Sequence, residues 1–263
     1  MPIDAALVAA LHVEYLEKRD LLAGEGRTHH TLFQTSTIEA LLEGNYDGDV
    51  SFAELEDRGD FGLGTLDALD GEMVALDGSF YQIRADGRAY PIDGWARTPF
   101  AVVTFFEPGL SLTLAAPMDL AGLCDRVDRL VGETTGCCAV RVDGRFEHVK
   151  TRSVPRQRKH YPPLVEVVEG QPTFEFCDVQ GSLVGFRFPD YARGLNVPGY
   201  HFHFITDART AGGHVLECRL AWGELRVDRE ADLRLELPPE VSLPVPGQAA
   251  SDDDALNRVE SGQ

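Results

Sequence analysis

The apolar side chains near the start of the chain recur at helical spacing. Residues 4–18 carry a stripe of leucine, valine and tyrosine that predicts one amphipathic helix packed on the body of the protein. Two short helices are predicted next, because residues 36–39 and 51–54 each read Ser-x-x-Glu, the pattern of a capping box. A glycine follows each of these segments and can end the helix.

From residue 61 to about residue 115 the pattern changes to short runs of β-branched and aromatic residues. Asp-Gly pairs, which favour tight hairpins, separate these runs and begin at positions 70, 77, 86 and 93. This arrangement predicts an antiparallel meander.

A helix over roughly residues 119–131, with apolar residues on one face, separates the meander from a second series of strands. That series begins near Cys137 and runs to Leu237. Turns within it are predicted at glycines, namely Gly144, Gly181, Gly194 and the Gly212-Gly213 pair.

These elements predict the α+β class, with two β-rich halves of mixed or antiparallel sheets and few helices. The first half is expected to span residues 1–134 and the second half residues 135–240. Residues 241–263 are interpreted as a proline-rich connector followed by a C-terminal tail with a short helix. Such a helix is too short to fold alone, so it must either dock on the body or fray.

The net charge of -19 and the pI of about 4.7 argue against nucleic acids and anionic membrane surfaces as partners. An acidic, solvated surface is enough to explain this charge. The five cysteines form no CxxC pair, which predicts neither a disulfide framework nor a thiolate metal site. Because the first twenty residues lack the pattern of a signal peptide, we expect a cytoplasmic protein.

The strongest chemical signal is the segment YHFHFITDARTAGGH at 200–214. Strand periodicity places His201 and His203 on one face and turns the phenylalanines between them to the other face. A hairpin centred near residues 208 and 209 would set His214 opposite His203, with Cβ atoms about 4.5 to 5.5 Å apart. Three converging imidazoles that leave a coordination position open are typical of a catalytic divalent-metal site.

Any one of these histidines could instead be a core residue satisfied by hydrogen bonds. Three within fourteen residues, on faces that can meet, favour a metal site. The histidines at positions 29, 30, 148 and 160 have no spaced partner and are interpreted as surface residues. The sequence contains no G-x-S-x-G elbow, Walker A loop or Rossmann glycine fingerprint.

Several long segments together resemble the acetolactate decarboxylase family. They are LFQTSTIEALLEGNYDGD at 32–49, GDFGLGTLDALDGEMVALDGSFYQ at 59–82, TRSVPRQ at 151–157, PPLVEVVEGQPTFEF at 162–176 and GLNVPGYHFHFITDARTAGGH at 194–214. The likeness covers nearly all of residues 32–220, in order and without large gaps.

The resemblance implies one zinc ion per chain, a homodimer and a pocket built from seven residues. These are His201, His203 and His214 as metal ligands, Glu72, Arg152 and Glu260 as catalytic residues facing the metal, and Thr65 as a substrate-binding residue. The implied reaction is decarboxylation of 2-acetolactate to acetoin and CO2, in acetoin and butanediol biosynthesis. In that reaction, a carboxylic acid such as Glu72 or Glu260 protonates the carbon and Arg152 orients the substrate.

Two other functions are compatible with the histidine pattern. A non-catalytic metal-binding or ligand-sensing module could share the hairpin and lack the chemistry, so it is distinguished by whether Glu72, Arg152 and the tail reach the histidines. A cupin-type metalloenzyme also uses a His-x-His strand. However, the glutamate that usually follows is missing, since Thr206 and Asp207 occupy that region.

Overall fold

The structure is a computed structural model that describes residues 12–15, 30–132, 136–239, 256 and 259–260. In these ranges the helices are α1 (Ile38–Leu42), α2 (Phe52–Glu56), α3 (Leu120–Val131) and α4 (Leu164–Val168). The strands are β1 (His12–Tyr15), β2 (Thr31–Thr35), β3 (Val50–Ser51), β4 (Phe61–Thr65), β5 (Glu72–Leu76), β6 (Ser79–Ile83), β7 (Ala89–Pro91), β8 (Arg97–Thr98), β9 (Ala101–Thr104), β10 (Leu110–Leu114), β11 (Met118–Asp119), β12 (Cys137–Arg152), β13 (Thr173–Phe188), β14 (Gly199–Thr206), β15 (Gly212–Glu230) and β16 (Asp232–Glu236).

The first sheet has eight strands in the order β1-β16-β2-β9-β4-β5-β6-β7. Strand β16 runs parallel to both of its neighbours, and the other pairs are antiparallel. The predicted meander is confirmed for β4 to β7. Asp77 and Gly78 both have positive φ, at 54° and 75°, as a two-residue hairpin turn requires. The meander ends before residue 115, because β9 returns beside β4 and β10 joins the second sheet.

The second sheet contains β10, β15, β12, β13 and β14, and β14 also pairs with β15. Strands β12 to β15 therefore close into a ring, with β10 and β11 paired to β15. The predicted α+β class with two β-rich halves is confirmed. The halves exchange strands, since β10 pairs in the second sheet and β16 in the first. The boundaries 1–134, 135–240 and 241–263 stay a prediction.

The turns predicted at Gly144 and Gly181 are wrong, because both glycines lie inside long strands and pair directly with each other. Each glycine is needed for close approach. A Cβ on Gly144 would lie 2.4 Å from the carbonyl oxygen of Trp222, and one on Gly181 would lie 2.5 Å from the ring of Phe204. Of the other predicted turns, Gly194 has a φ of 80° in the loop before β14. The turn predicted at Gly212-Gly213 is wrong, because both glycines lie in β15 and pair with β14.

We expect Gly144→Ala to lower the free energy of unfolding by about 1 to 3 kcal/mol, because the new methyl group meets backbone atoms that cannot move aside cheaply. Urea unfolding of the purified protein measures this change. Gly109→Ala is the matched control, since a Cβ there has no atom within 4 Å. Equal stability of the two variants would contradict the role assigned to Gly144.

Near the start of the chain, the helix predicted over 4–18 is wrong for His12–Tyr15, which form β1; the rest of that prediction lies outside the described residues. The β1 segment carries valine and tyrosine, which favour strands, and it pairs along β16. The capping box at Ser51 and Glu54 is confirmed, with both of its hydrogen bonds present. For α1 the cap is Thr37 and not Ser36, since the Thr37 hydroxyl accepts from the Ala40 amide.

The core between the two sheets also receives the end of the chain. Leu63 and Val74 of the first sheet and Val184 of the second belong to one buried cluster, together with Leu256 and Val259. The burial of Leu256 and Val259 supports docking of the C-terminal tail at the site, which stays a prediction. Helix α3 covers the other face of the second sheet, as its apolar periodicity predicted. None of the helices in the described ranges is long and apolar enough to cross a membrane.

A buried carboxyl group, Glu230, lies near the joint where β15 leads into β16. It is 3% exposed, and neither oxygen makes a well-aligned hydrogen bond to another described residue. Burial raises its pKa from 4.5 to about 8, and the neighbouring Asp228 adds to this effect. The Thr104 hydroxyl acts in the opposite direction. Cys137 and Cys138 also interact electrostatically with Glu230.

We expect Glu230 to make stability fall as pH rises. The folded state keeps the Glu230 proton up to about pH 8, whereas the unfolded chain releases it above about pH 4.5. The stabilisation is therefore complete below pH 4.5 and is lost as the pH rises through 8, by at most about 1.4 kcal/mol per pH unit. Urea unfolding at pH 5 and pH 8.5 should show a smaller decrease for Glu230→Gln than for wild type. Identical decreases would contradict the assignment.

Candidate metal centre and active site

The β14–β15 hairpin brings the three predicted histidines together. His203 is the direct cross-strand partner of His214, as the sequence predicted. The Thr206 amide donates to the Ala211 carbonyl at 3.0 Å, and Arg209 takes the positive φ of 54° in the turn between them. The phenylalanines that alternate with the histidines point to the opposite face and pack in the core beneath α3. One strand therefore serves packing on one face and the site on the other.

The three imidazole rings converge in a buried position. Their centroids lie 4.8 to 5.4 Å apart, and one nitrogen from each ring lies within 4.8 Å of the others. Nε2 of His201 is 3.0 Å from Nδ1 of His214. Nδ1 of His203 donates to the carbonyl of Met73 at 2.8 Å, which directs its Nε2 toward the other two rings. That Nε2 is buried and has no hydrogen-bond partner among the described residues.

Electrostatics keep these imidazoles neutral. Burial, with a further contribution from the positive charge of Arg152, lowers the pKa of His201 to about 3. Burial likewise holds the pKa of His203 and of His214 well below the usual value. A neutral imidazole has a free lone pair, which is the form that binds a metal. The residues present therefore fit a divalent metal ion.

Thr65 and Glu72 reach the pocket from the β4–β5 hairpin of the first sheet, where they are cross-strand partners. The Thr65 hydroxyl donates to the Gly71 carbonyl at 2.6 Å and so holds the turn that precedes Glu72. One oxygen of Glu72 lies 3.6 Å from Nε2 of His203, and the other lies 4.0 Å from Nη1 of Arg152.

Arg152 and Glu260 approach the histidines from two further directions. Arg152 ends β12, directly opposite His214 on β15. The Glu260 carbonyl lies 3.3 Å from Nε2 of His214, where it can accept a hydrogen bond and leave Nδ1 free for a metal. The Glu260 carboxylate is 3.7 Å from His214 and 4.0 Å from His201.

Both glutamates can hold a proton near neutral pH. Burial raises the pKa of Glu72 to about 7, an effect that Arg152 opposes and Glu260 reinforces. Burial also raises the pKa of Glu260 to about 7, and Arg152 again opposes it. Such shifts are typical of groups that transfer protons.

All seven predicted site residues line one pocket, which encloses about 420 Å³ including its open mouth. Sequence patterns did not identify its apolar wall, whose members come from several elements: Ile38, Leu41, Leu69, Phe100, Val154, Leu164 and Val259. Isolated apolar residues are indistinguishable from core residues until the fold places them beside polar groups. The pocket thus joins a polar floor to an apolar wall.

Residues 32–243 match the family described as alpha-acetolactate decarboxylase. The chain belongs to this family. An alpha-acetolactate decarboxylase of Methylococcus capsulatus is 46% identical over 261 residues, which are 99% of this chain and 100% of that protein. One from Methanosarcina mazei is 50% identical over 207 residues, 79% of this chain and 72% of that protein. The family resemblance is therefore confirmed, and the chain is an enzyme of the carboxy-lyase class.

The alpha-acetolactate decarboxylase fold is also seen in solved structures. The crystal structure of the enzyme from Bacillus subtilis strain 168 superposes on this chain with a TM-score of 0.82 at 37% identity. It covers 89% of this chain and 100% of that one.

Proposed function

We propose that this enzyme converts 2-acetolactate to acetoin and CO2 with the help of zinc, in acetoin and butanediol biosynthesis. One observation carries the proposal: in a chain of this family, a buried group of three histidines shares a pocket with two carboxyl groups and a guanidinium group. The proposal extends to a homodimer in the cytoplasm, which the mass in solution and cell fractionation would test.

His201, His203 and His214 would hold the metal, and their neutral nitrogens suit zinc. When bound, such an ion supplies a Lewis acid for the electrons released as CO2 leaves. The carbonyl of Met73 supports this role, because it fixes His203 with Nε2 toward the pocket.

Arg152 is proposed to bind the carboxylate or hydroxyl group of the substrate. Its guanidinium is planar, permanently charged and almost completely buried, so it can hold an anion by charge-assisted hydrogen bonds. Its distance of 4.0 Å from Glu72 leaves this contact available. Arg152 must stabilise the transition state more strongly than the bound substrate, because only the difference between the two accelerates decarboxylation.

Glu72 or Glu260 is proposed to deliver the proton. As the bond to the carboxylate carbon breaks, its electron pair remains on the substrate and yields an enediolate. A carboxylic acid then transfers a proton to the former α-carbon, which gives acetoin and leaves a carboxylate. A pKa of about 7 keeps part of each acid protonated at neutral pH and supports this role.

The apolar wall is proposed to receive the two methyl groups of the substrate. Leu41, Leu164 and Phe100 limit the water around the reacting carbon, and a drier site strengthens the electrostatic contacts on the polar floor. The non-catalytic alternative is weaker, because Glu72, Arg152 and Glu260 lie beside the histidines. The cupin alternative lacks its glutamate and does not match this family.

The direct test is acetoin formation from 2-acetolactate by purified protein, with metal analysis of the same sample before and after chelation. We expect about one zinc per chain, loss of acetoin formation on chelation, and recovery when zinc is returned. A metal-free sample with full activity would refute the zinc proposal. A zinc-loaded sample that makes no acetoin would refute the decarboxylase proposal.

A further inference from the structure

Arg152 is held by a residue outside the predicted site. Its Nη1 donates a hydrogen bond to the side-chain oxygen of Gln171 at 2.8 Å, whereas its distance to Glu72 is 4.0 Å. Gln171 lies between α4 and β13, and its backbone amide donates a hydrogen bond to the carbonyl of Val168 at 3.4 Å. The guanidinium is thus anchored on the side of α4.

The hydrogen bond to Gln171 can determine the direction in which the Arg152 guanidinium points. Arg152 is 3% exposed, and its Nε is buried without a hydrogen-bond partner among the described residues. Nε therefore does not help to fix the rotation of the guanidinium. A single short hydrogen bond can do so, because the five N–H groups of a guanidinium form one rigid plane.

The anchoring atom is uncharged, which leaves the positive charge of Arg152 available to an anion. A glutamine oxygen accepts a hydrogen bond but carries no charge, so it orients the guanidinium without neutralising it. A carboxylate in the same place would form an ion pair with Arg152 and compete with an anionic substrate. The α4 segment that leads to Gln171 also supplies Leu164 to the apolar wall. One segment, residues 164–171, therefore shapes both sides of the pocket.

We propose that Gln171 is a positioning residue that aims the Arg152 guanidinium at the carboxylate or hydroxyl group of the substrate. This inference rests on the proposed function. It assigns to Gln171 no contact with the substrate, only the orientation of the group that binds it. Its effect should therefore appear in substrate binding more than in the chemical step.

The test compares Gln171→Met, which keeps the length of the side chain but removes the acceptor, with Gln171→Glu, which adds a charge. We expect Gln171→Met to raise KM for 2-acetolactate about tenfold with a smaller change in kcat, since hydrogen bonds to charged groups are the stronger ones. Gln171→Glu should raise KM further. Zinc content and Tm should match wild type in both variants. Gln180→Met is the control, because Gln180 is exposed on β13.

The outcomes separate this inference from the proposed function. Wild-type protein that forms no acetoin would overturn both. Wild-type turnover with an unchanged KM in Gln171→Met and Gln171→Glu would overturn the positioning role alone. A lower Tm or zinc content, with kcat and KM changing together, would show a structural role for Gln171 and would also overturn it.

Discussion

Replacing His203 with alanine should remove the metal and reduce acetoin formation about a thousandfold or more. Two imidazoles bind the ion more weakly than three. A metal ion can stabilise the transition state by several kcal/mol, and each 1.4 kcal/mol that is lost slows the reaction roughly tenfold. Metal analysis and steady-state turnover of the purified variant measure both effects.

The control for this change is His148→Ala. His148 is part-exposed on β12, its Nε2 lies 3.8 Å from a Glu175 oxygen, and it does not line the pocket. We expect wild-type metal content and turnover in that variant. A His203→Ala protein that keeps both its metal and its activity would remove this histidine from the site.

Glu72→Gln should reduce kcat by about a hundredfold to ten-thousandfold, the range expected when a positioned acid is lost. The amide has nearly the same shape but no acidic proton to give. Metal content should be largely unchanged, because Glu72 is not one of the three grouped nitrogen donors. Turnover and metal analysis on one preparation distinguish the two effects.

Two further variants sharpen the experiment on Glu72. Glu230→Gln makes the same change at a buried acid outside the pocket, so its kcat at neutral pH should equal that of wild type. Glu260→Gln tests the second acid, and the variant with the greater loss of kcat identifies the proton donor. Unchanged turnover in Glu72→Gln would exclude Glu72 from the mechanism.

The part of the site that could be predicted from the sequence is local. His201, His203 and His214 lie on one hairpin, where the period of two and the turn between the strands determine which side chains meet. The residues next to Glu72 in the sequence do not indicate which way its side chain points. It reaches the histidines only because the first sheet packs against the second, and no periodicity encodes that packing.

The errors in the fold prediction have similar physical causes. Glycine is common in turns, but Gly144 and Gly181 instead allow neighbouring strands to approach each other closely. The stretch around Val13 has helical spacing, yet pairing with β16 produces a strand there. In these cases tertiary contacts outweigh the local preference of the residues.

The proposed metal ligands come from fourteen consecutive residues, whereas the acids and the guanidinium come from β5, β12 and the C-terminal segment. One hairpin therefore supplies all three nitrogen donors, with the Met73 carbonyl of β5 orienting His203, whereas the other reacting groups come from elements that are distant in sequence. When denaturant is added to the zinc-loaded protein, activity should be lost at a lower denaturant concentration than the one that releases zinc. The gap between the two midpoints would measure how loosely the remaining elements are held around the ion.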